Sequence, residues 1–270
     1  VQENKPPDDY AHGHHESVLR SHGVRTVENS AAYLIPYLVS GTRVLDVGSG
    51  PGSITIDLAE RVIPGTVIGI DPVKAVVDRA TAAVPGEVDN LTFETGDAYA
   101  LRYEDASFDI VHAHQVLQHL RHPIVALREM YRVLRPGGVL AVRDADYGGM
   151  VWAPESPALT NWMKIYQEMG AELDVEPNAG RHLLGWTMAA GFEMIEPGAS
   201  VWTYATPEQR AFWAGTWAQR AVASDFASHA VGMGLATQSD LAEISQAWRV
   251  WQQEPSGFFL IPNTEILAWR

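Results

Sequence analysis

From residue 42 onward the chain alternates short, largely apolar runs with segments whose apolar positions recur every three to four residues. TRVLDV (42–47) reads as a buried strand, and SITIDLAERV (53–62) has helical spacing. TVIGID (66–71) predicts a second strand and PVKAVVDRATAAV (72–84) the next helix, with Pro72 at a tolerated first-turn position. LTFETG (91–96) and FDIVHAH (108–114) predict strands three and four, and IVALREMYRVL (124–134) a helix. GGVLAVRDAD (137–146) predicts a fifth strand, entered through the turn Arg135-Pro136-Gly137-Gly138. This alternation predicts an α/β fold, a doubly wound and mostly parallel sheet with helices on both faces.

The flanks are different. Before residue 42 the chain is polar and then helical, with Thr26 placed to cap a helix through VENSAAYLIPYL (27–38). Beyond about residue 150 the texture changes, and all nine Trp residues lie at or after Trp152. Residues 156–175 and 207–254 are mostly helical by pattern. FEMIEPGASVWTYA (192–205) and GFFLIPNTEILAW (257–269) read as strands on either side of the second helical block.

A chain of 270 residues is near the upper size for one hydrophobic core. Its 46% hydrophobic and 19% charged residues describe a soluble globular protein, and no run approaches the ~18–20 apolar residues of a membrane span. The start, VQENKPPDDY, lacks an apolar signal core and an initiator Met, so the chain is expected to be trimmed or incomplete there. The absence of Cys excludes disulfides, thiolate catalysis and Cys-ligated zinc, and fits a cytoplasmic location. A net charge of −14 would repel nucleic acid and phosphate-rich membranes, which leaves a small molecule or a protein as the expected partner.

The candidate chemistry begins at VLDVGSGPGSIT, between the first strand and its helix. Gly48, Gly50 and Gly52 let the backbone turn sharply and approach a ligand, at the carboxyl end of a strand where open α/β sheets bind ligands. The spacing is G-x-G-x-G, and Ser53 stands where the dinucleotide fingerprint has its third Gly. Asp71, ending the second strand about 20 residues on, can accept hydrogen bonds from both ribose hydroxyls. That indicates a nucleoside without choosing between NAD and an adenosyl cofactor. Asp97, after Gly96 at the end of the third strand, can accept from an adenine amino group.

Together LDVGSGPG, IGIDP, GDA (96–98), FDIVHAHQVLQHL (108–120) and LRPGGVLAV resemble the class I S-adenosylmethionine-dependent methyltransferases, in that family's order over residues 42–145. The likeness is nearest to the ubiquinone/menaquinone-biosynthesis type. The resemblance implies a seven-stranded Rossmann-like sheet whose last strand is antiparallel. It implies an N-terminal helical lid (1–41), a cofactor-binding core (42–150), and a remainder (151–270) carrying a helical substrate cap (207–256) between the sixth and seventh strands. It implies S-adenosyl-L-methionine as cofactor, with Gly48, Ser49, Gly50 and Asp71 at the methionine part and ribose. Pro72, Gly96, Asp97 and Ala98 would stand around the nucleoside, and His114 and Gln115 beside the sulfonium. Asp46 would organise either the loop or the amino group.

Methyl transfer from a sulfonium mostly needs an acceptor held in line, and a general base where the nucleophile carries a proton. No metal is required, and no convincing metal site is expected. The segment HGHHESVLRSH (12–22) holds four of the ten His residues. Read as a lid, it would turn Tyr10, His14, His15, Arg20 and Arg25 toward the cofactor carboxylate or the acceptor, with His14 or His15 as a candidate base. His119 is the other candidate base. Asp144, Asp146 and Tyr147, after the fifth strand, could orient a substrate. Trp213 and Trp217 lie one helical turn apart, as do Trp248 and Trp251. They are core between cap helices, a homodimer seam, or the walls of a pocket for an apolar or aromatic acceptor. The expected function is small-molecule methyl transfer. The rivals are an NAD(P)-dependent oxidoreductase and a catalytically silent cofactor-binding regulator.

Overall fold

The computed structural model describes residues 25–270. Five parallel strands form its centre: β1 (Val44–Val47), β2 (Val67–Asp71), β3 (Leu91–Thr95), β4 (Phe108–His114) and β5 (Leu134–Ala145). They lie in the order β3-β2-β1-β4-β5. The long last strand, β8 (Phe258–Trp269), runs antiparallel beside β5 and pairs on its other edge with β7 (Met194–Tyr204).

Alternation within the strands sends side chains to two different cores. Val44 of β1, Ile110 of β4 and Val139 of β5 pack with Ile54, Leu58 and Val62 of α2 (Ser53–Val62) and with Leu34. Leu45, Val111 and Leu140, one position on, pack with Ala126, Leu127 and Met130 of α4 (Pro123–Val133) and Leu183 of α6 (Ala179–Ala190). Both faces of the parallel sheet are therefore covered. A third core lies outside this sandwich. α5 (Pro157–Glu172), α7 (Pro207–Ala223), α8 (Asp225–Gly232) and α9 (Gln238–Gln253) enclose Trp162, Trp217, Trp248 and Phe226 together with Phe259 of β8. The last three of these helices lie between β7 and β8 in the chain.

Several expectations need correction. The sheet has eight strands among the described residues, because β8 outruns its pairing with β5 at Asn263 and a short strand, β6 (Val151–Ala153), pairs with the excess. The helix expected over 27–38 is a four-residue α1 (Val27–Ser30) followed by a 3₁₀ turn (Ala32–Tyr37). Thr26 does cap α1, but Ala31 leaves the helical region (φ −141°, ψ 28°), and Pro36, inside the 3₁₀ turn, has no N–H for an α-helical bond. α3 (Lys74–Ala83) starts two residues after Pro72, which is exposed and outside the first turn, because Asp71 Oδ1 accepts Val73 N and holds the chain in a turn. The turn at Arg135–Gly138 is absorbed into β5 as an irregularity, with register jumping from Leu134↔Phe108 to Val139↔Ile110 and Gly137 at φ 74°. α6 and β6 were not expected at all.

Candidate functional site

The glycine loop leaves β1 and is stitched to the end of β2. Gly48 N and Ser49 N both donate to Ile70 O (2.8 and 2.9 Å), and Gly50 N donates to Asp71 Oδ2 (3.3 Å). Gly48 and Gly50 are left-handed, at φ 72° and 55°. A side chain at Gly48 would also run into Val116, whereas a Cβ on Gly50 would meet nothing within 4 Å. The loop therefore backs onto Val116, just after β4, on one side and leaves open space beside Gly50 on the other, while Ser49 packs against Gly69 of β2. Gly96 N donates to Asp71 O, and Asp97, exposed, accepts Tyr99 N at 2.8 Å. Gly48 to Gly50, Asp71, Pro72 and Gly96 to Ala98 thus stand together at the carboxyl ends of three adjacent strands. The cradle fits an adenosyl group: open space beside Gly50 and the carboxylates of Asp71 and Asp97 lie along it.

Asp46 lies beneath this cradle. Its Oδ2 accepts Thr55 Oγ1 (2.6 Å), its Oδ1 pairs with His112 Nδ1 (2.7 Å), and all three side chains are buried. Both oxygens are committed under the loop, which matches the loop-organising role of the two expected rather than contact with the amino group. His114 is likewise inside the fold, its ring 5.7 Å from that of Trp202, and it does not line the neighbouring cavity. Gln115 does. Its backbone is left-handed (φ 54°), its N donates to Arg143 O (2.7 Å), and its side chain accepts from Arg25 Nη2 (2.5 Å).

That cavity, of about 460 Å³, opens beside the end of β4. Gln115, Gln118 and His119 line it from the segment after β4, with Tyr147 and Met150 from the segment after β5. Trp202 and Tyr204 of β7 and Phe212, Trp213 and Arg220 of α7 line it further, with Tyr204 stacked on Trp213, and Arg25 and Asn29 complete the lining. Trp202 is held firmly: its Nε1 donates to Asn29 O (2.8 Å), and Arg143 lies 4.4 Å from its ring centre. Arg143 is itself buried and held by Glu265 (3.1 Å) and Ser200.

The cavity thus brings together Arg25, Gln115, His119, Tyr147 and Trp213 from the sequence-derived set. It does not include Trp217, which is 0% exposed and meets Trp162 edge-on at 4.6 Å, so its assignment to substrate is corrected to core. Nor does it include Asp144, which is 0% exposed and accepts Gln118 N at 3.2 Å from behind the wall. Tyr10, His14 and His15 lie outside the described residues. Gln118, Trp202, Tyr204, Phe212 and Arg220 were missed. The alternation of Trp202 and Tyr204 along a strand, and the seven-residue spacing of Arg220 from Trp213 on a helix, were the signals that could have found them.

Burial sets the protonation of this wall. It lowers the His119 pKa to about 3, with a smaller contribution from the charge of Arg25, so the imidazole is neutral and a poor proton acceptor at pH 7. It raises Asp144 to about 7, against the opposing hydrogen bonds from Gln118 and Leu117 and the nearby arginines. It raises Tyr204 to about 12, and it raises Tyr147 although a hydrogen bond with Tyr166 acts the other way. Both phenols are neutral donors. Among the described residues no three His, Asp or Glu side chains converge to hold a metal ion, and no helix is long and apolar enough to cross a membrane.

Comparison with known proteins bears on the same region. Residues 38–191 match the family model of a methyltransferase domain. An uncharacterized methyltransferase of Schizosaccharomyces pombe is 32% identical over 98% of this chain and 98% of its own length. The probable methyltransferase ltbC of Aspergillus luteorubrus is 28% identical over 97% of this chain and 98% of its own. Among solved structures, the YcgJ protein of Bacillus subtilis superposes with a TM-score of 0.59 at 21% identity, covering 90% of this chain and 98% of that one, a likeness of fold.

Proposed function

The chain belongs to the methyltransferase-domain family and is an S-adenosylmethionine-dependent methyltransferase, and we propose that its acceptor is a small apolar or aromatic molecule bound in the cavity beside Gln115. The cofactor supplies a methyl group on a sulfonium, which is electrophilic without further activation. In this reading the loop at Gly48 to Gly50 lies against its methionine part, with Asp71 at its ribose hydroxyls and Asp97 at its adenine amino group. Gln115, fixed by its backbone bond to Arg143 and its side-chain bond from Arg25, stands between cradle and cavity.

The observation that carries the acceptor class is the wall itself. Tyr147, Trp202, Tyr204, Phe212 and Trp213 give a 460 Å³ space broad flat faces with few ways to adapt, which favours a planar or apolar ligand. The rings are held by other rings: Tyr147 stacks on Tyr166 at 4.2 Å and Tyr204 on Trp213 at 4.6 Å. Holding an acceptor in line with the methyl group can supply about 7–11 kcal/mol of the barrier lowering, with no proton transfer by the wall.

Calorimetric titration with S-adenosylmethionine, its demethylated product and NAD tests the cofactor. A screen of aromatic and aliphatic acceptors with methyl-labelled cofactor tests the acceptor. Turnover confined to long aliphatic or polar acceptors would overturn the aromatic reading while leaving methyl transfer intact.

A further inference from the structure

We propose that Arg143 is a positioning residue for the acceptor: its buried charge fixes the plane of the Trp202 indole, and with it the wall against which a planar acceptor lies. The inference rests on the reading of this cavity as the acceptor site and assigns what orients its wall.

Strand register brings the parts together. Arg143 of β5 pairs directly with Glu265 of β8, and Ser200 and Trp202 alternate onto one face of β7, the strand beyond β8. Arg143 is 1% exposed, where a charge is costly unless it is paired. Glu265 accepts from its Nε at 3.1 Å. Ser200 Oγ accepts from Nε and Nη2 at 3.2 and 3.1 Å, and donates in turn to Glu265 at 2.5 Å. Nη1 is buried with no hydrogen-bond partner among the described residues. The guanidinium lies 4.4 Å from the ring centre of Trp202, so the indole face meets the charge that the oxygens leave over. Laying the guanidinium on the indole forgoes a hydrogen bond at Nη1, which is a cost to folding and a gain only in where the ring stands.

Trp202 is where this charge reaches the cavity, which Arg143 itself does not line. The indole is pinned at one edge, where Nε1 donates to Asn29 O of α1 at 2.8 Å. A bond at one atom leaves the ring able to tilt about it, whereas a cation over the ring centre favours one setting of its face. Arg25 also lies over the ring, but at 5.5 Å and with its guanidinium bonded to Gln115, so Arg143 has the stronger hold. Arg143 also ties this wall to the methyl-transfer side. Its carbonyl accepts Gln115 N at 2.7 Å and holds the left-handed backbone there. One residue thus sets both the acceptor wall and the turn beside the cofactor, and a misplacement of about 1 Å between reacting groups can cost on the order of a hundredfold in rate.

The test measures 2-naphthol binding by calorimetry to the full chain saturated with S-adenosylhomocysteine, in the wild type, R143M, W202L and the double variant. R143M and W202L should each weaken 2-naphthol by about five- to tenfold. The double variant should bind within about twofold of W202L, because a removed ring has no plane left to fix. R143K, which keeps a cation near the ring, should recover at least about half of the R143M loss on a logarithmic scale. Affinity for S-adenosylhomocysteine should stay within about threefold throughout, since the bond to Gln115 comes from the backbone of residue 143 and survives every substitution. Unchanged 2-naphthol affinity in R143M, losses that multiply in the double variant, or R143K no better than R143M would each overturn the proposal and leave the cavity standing as the acceptor site. Where R143M does not fold, S200A takes its place: it removes the bridge to Glu265 and keeps both charges. S200A should cost about threefold in the wild-type background and nothing in W202L, and no cost, or the same cost in both, would overturn the proposal. If 2-naphthol does not bind the loaded wild type, or binds W202L equally well, the acceptor-site reading falls and the proposal with it. Failure to bind S-adenosylhomocysteine is a separate result and would strike the cofactor cradle.

Discussion

Replacing Asp71 by Asn changes one charge at the junction of loop, strand and proposed ribose site. In the folded chain the carboxylate accepts Gly50 N at 3.3 Å and Val73 N at 2.9 Å. The amide keeps one acceptor oxygen, which can serve Val73, and turns an NH₂ toward the donor of Gly50. The first bond is long and the second survives, so the cost to folding is about 1–2 kcal/mol, or a melting temperature lower by roughly 2–8 °C in a protein of this size. The cost to cofactor binding is larger. A hydroxyl bonded to a carboxylate contributes about 1.5–3 kcal/mol, so losing the charge should weaken S-adenosylhomocysteine by roughly 10- to 150-fold. Calorimetry measures the affinity and a thermal melt the fold. An analogue lacking both ribose hydroxyls separates ribose contact from loop disorder, since it should bind the wild type weakly and the variant no worse. An unchanged affinity for the parent cofactor in a folded variant would refute the ribose assignment. Equal losses for parent and analogue would show instead that Asp71 only holds the loop.

Four further outcomes are expected. Trp162→Ala empties the centre of the aromatic core, where Trp217 and Trp248 lie 4.6 and 5.1 Å away, and should cost about 3–5 kcal/mol in denaturant unfolding. Asp144 has a folded pKa raised to about 7, so the native state holds a proton that the unfolded chain has released. Its contribution therefore falls as pH rises from about 4 to 7, and Asp144→Asn should flatten that part of the stability–pH curve measured by urea melts. His119, lowered to about 3, does not titrate near neutrality; in His119→Gln the kcat/KM profile between about pH 6 and 8 should keep its shape, whatever its height. If the N-terminal segment supplies a base, His14→Ala should lower turnover by about 10²–10⁴-fold, and unchanged turnover at every pH would remove that role.

The parallel half of the fold was legible because its signals are local. A strand buried on both faces, a glycine turn and an amphipathic helix each declare themselves within about ten residues, and they recur from Val44 to Ala145. The errors there have local causes too. The helix broke at Ala31, whose backbone is not helical, and the glycine pair 137–138 bent into the strand instead of preceding it. α6 was missed because AGRHLLGWTMAA begins and ends in small residues and carries two glycines, which weakens its helical pattern although Leu183 and Thr187 are fully buried. Gly50 and Asp71 were likewise readable, since a left-handed turn and a strand-end acid are sequence-local features.

The acceptor side follows a different logic, and the two tryptophans of α7 show why. Trp213 and Trp217 are one turn apart, and spacing gives them the same helix face. Yet Trp213 lines the cavity while Trp217 is sealed among Trp162, Trp248 and Phe226. Their fates part because β7 meets the helix at Trp213, where Tyr204 stacks at 4.6 Å, while α5, α8 and α9 close around it four residues later. Arg220 then returns to the cavity wall one turn beyond Trp217. Those neighbours come from segments between residues 157 and 253, so no window short enough to show a helical period contains them. What the helix presents to the acceptor is thus decided by where the strand ends and the cap helices begin. An acceptor preference read from this family's core motifs would miss it, whereas substitutions at 202, 204, 213 and 220 should shift it without disturbing the cradle at Gly48 to Asp71.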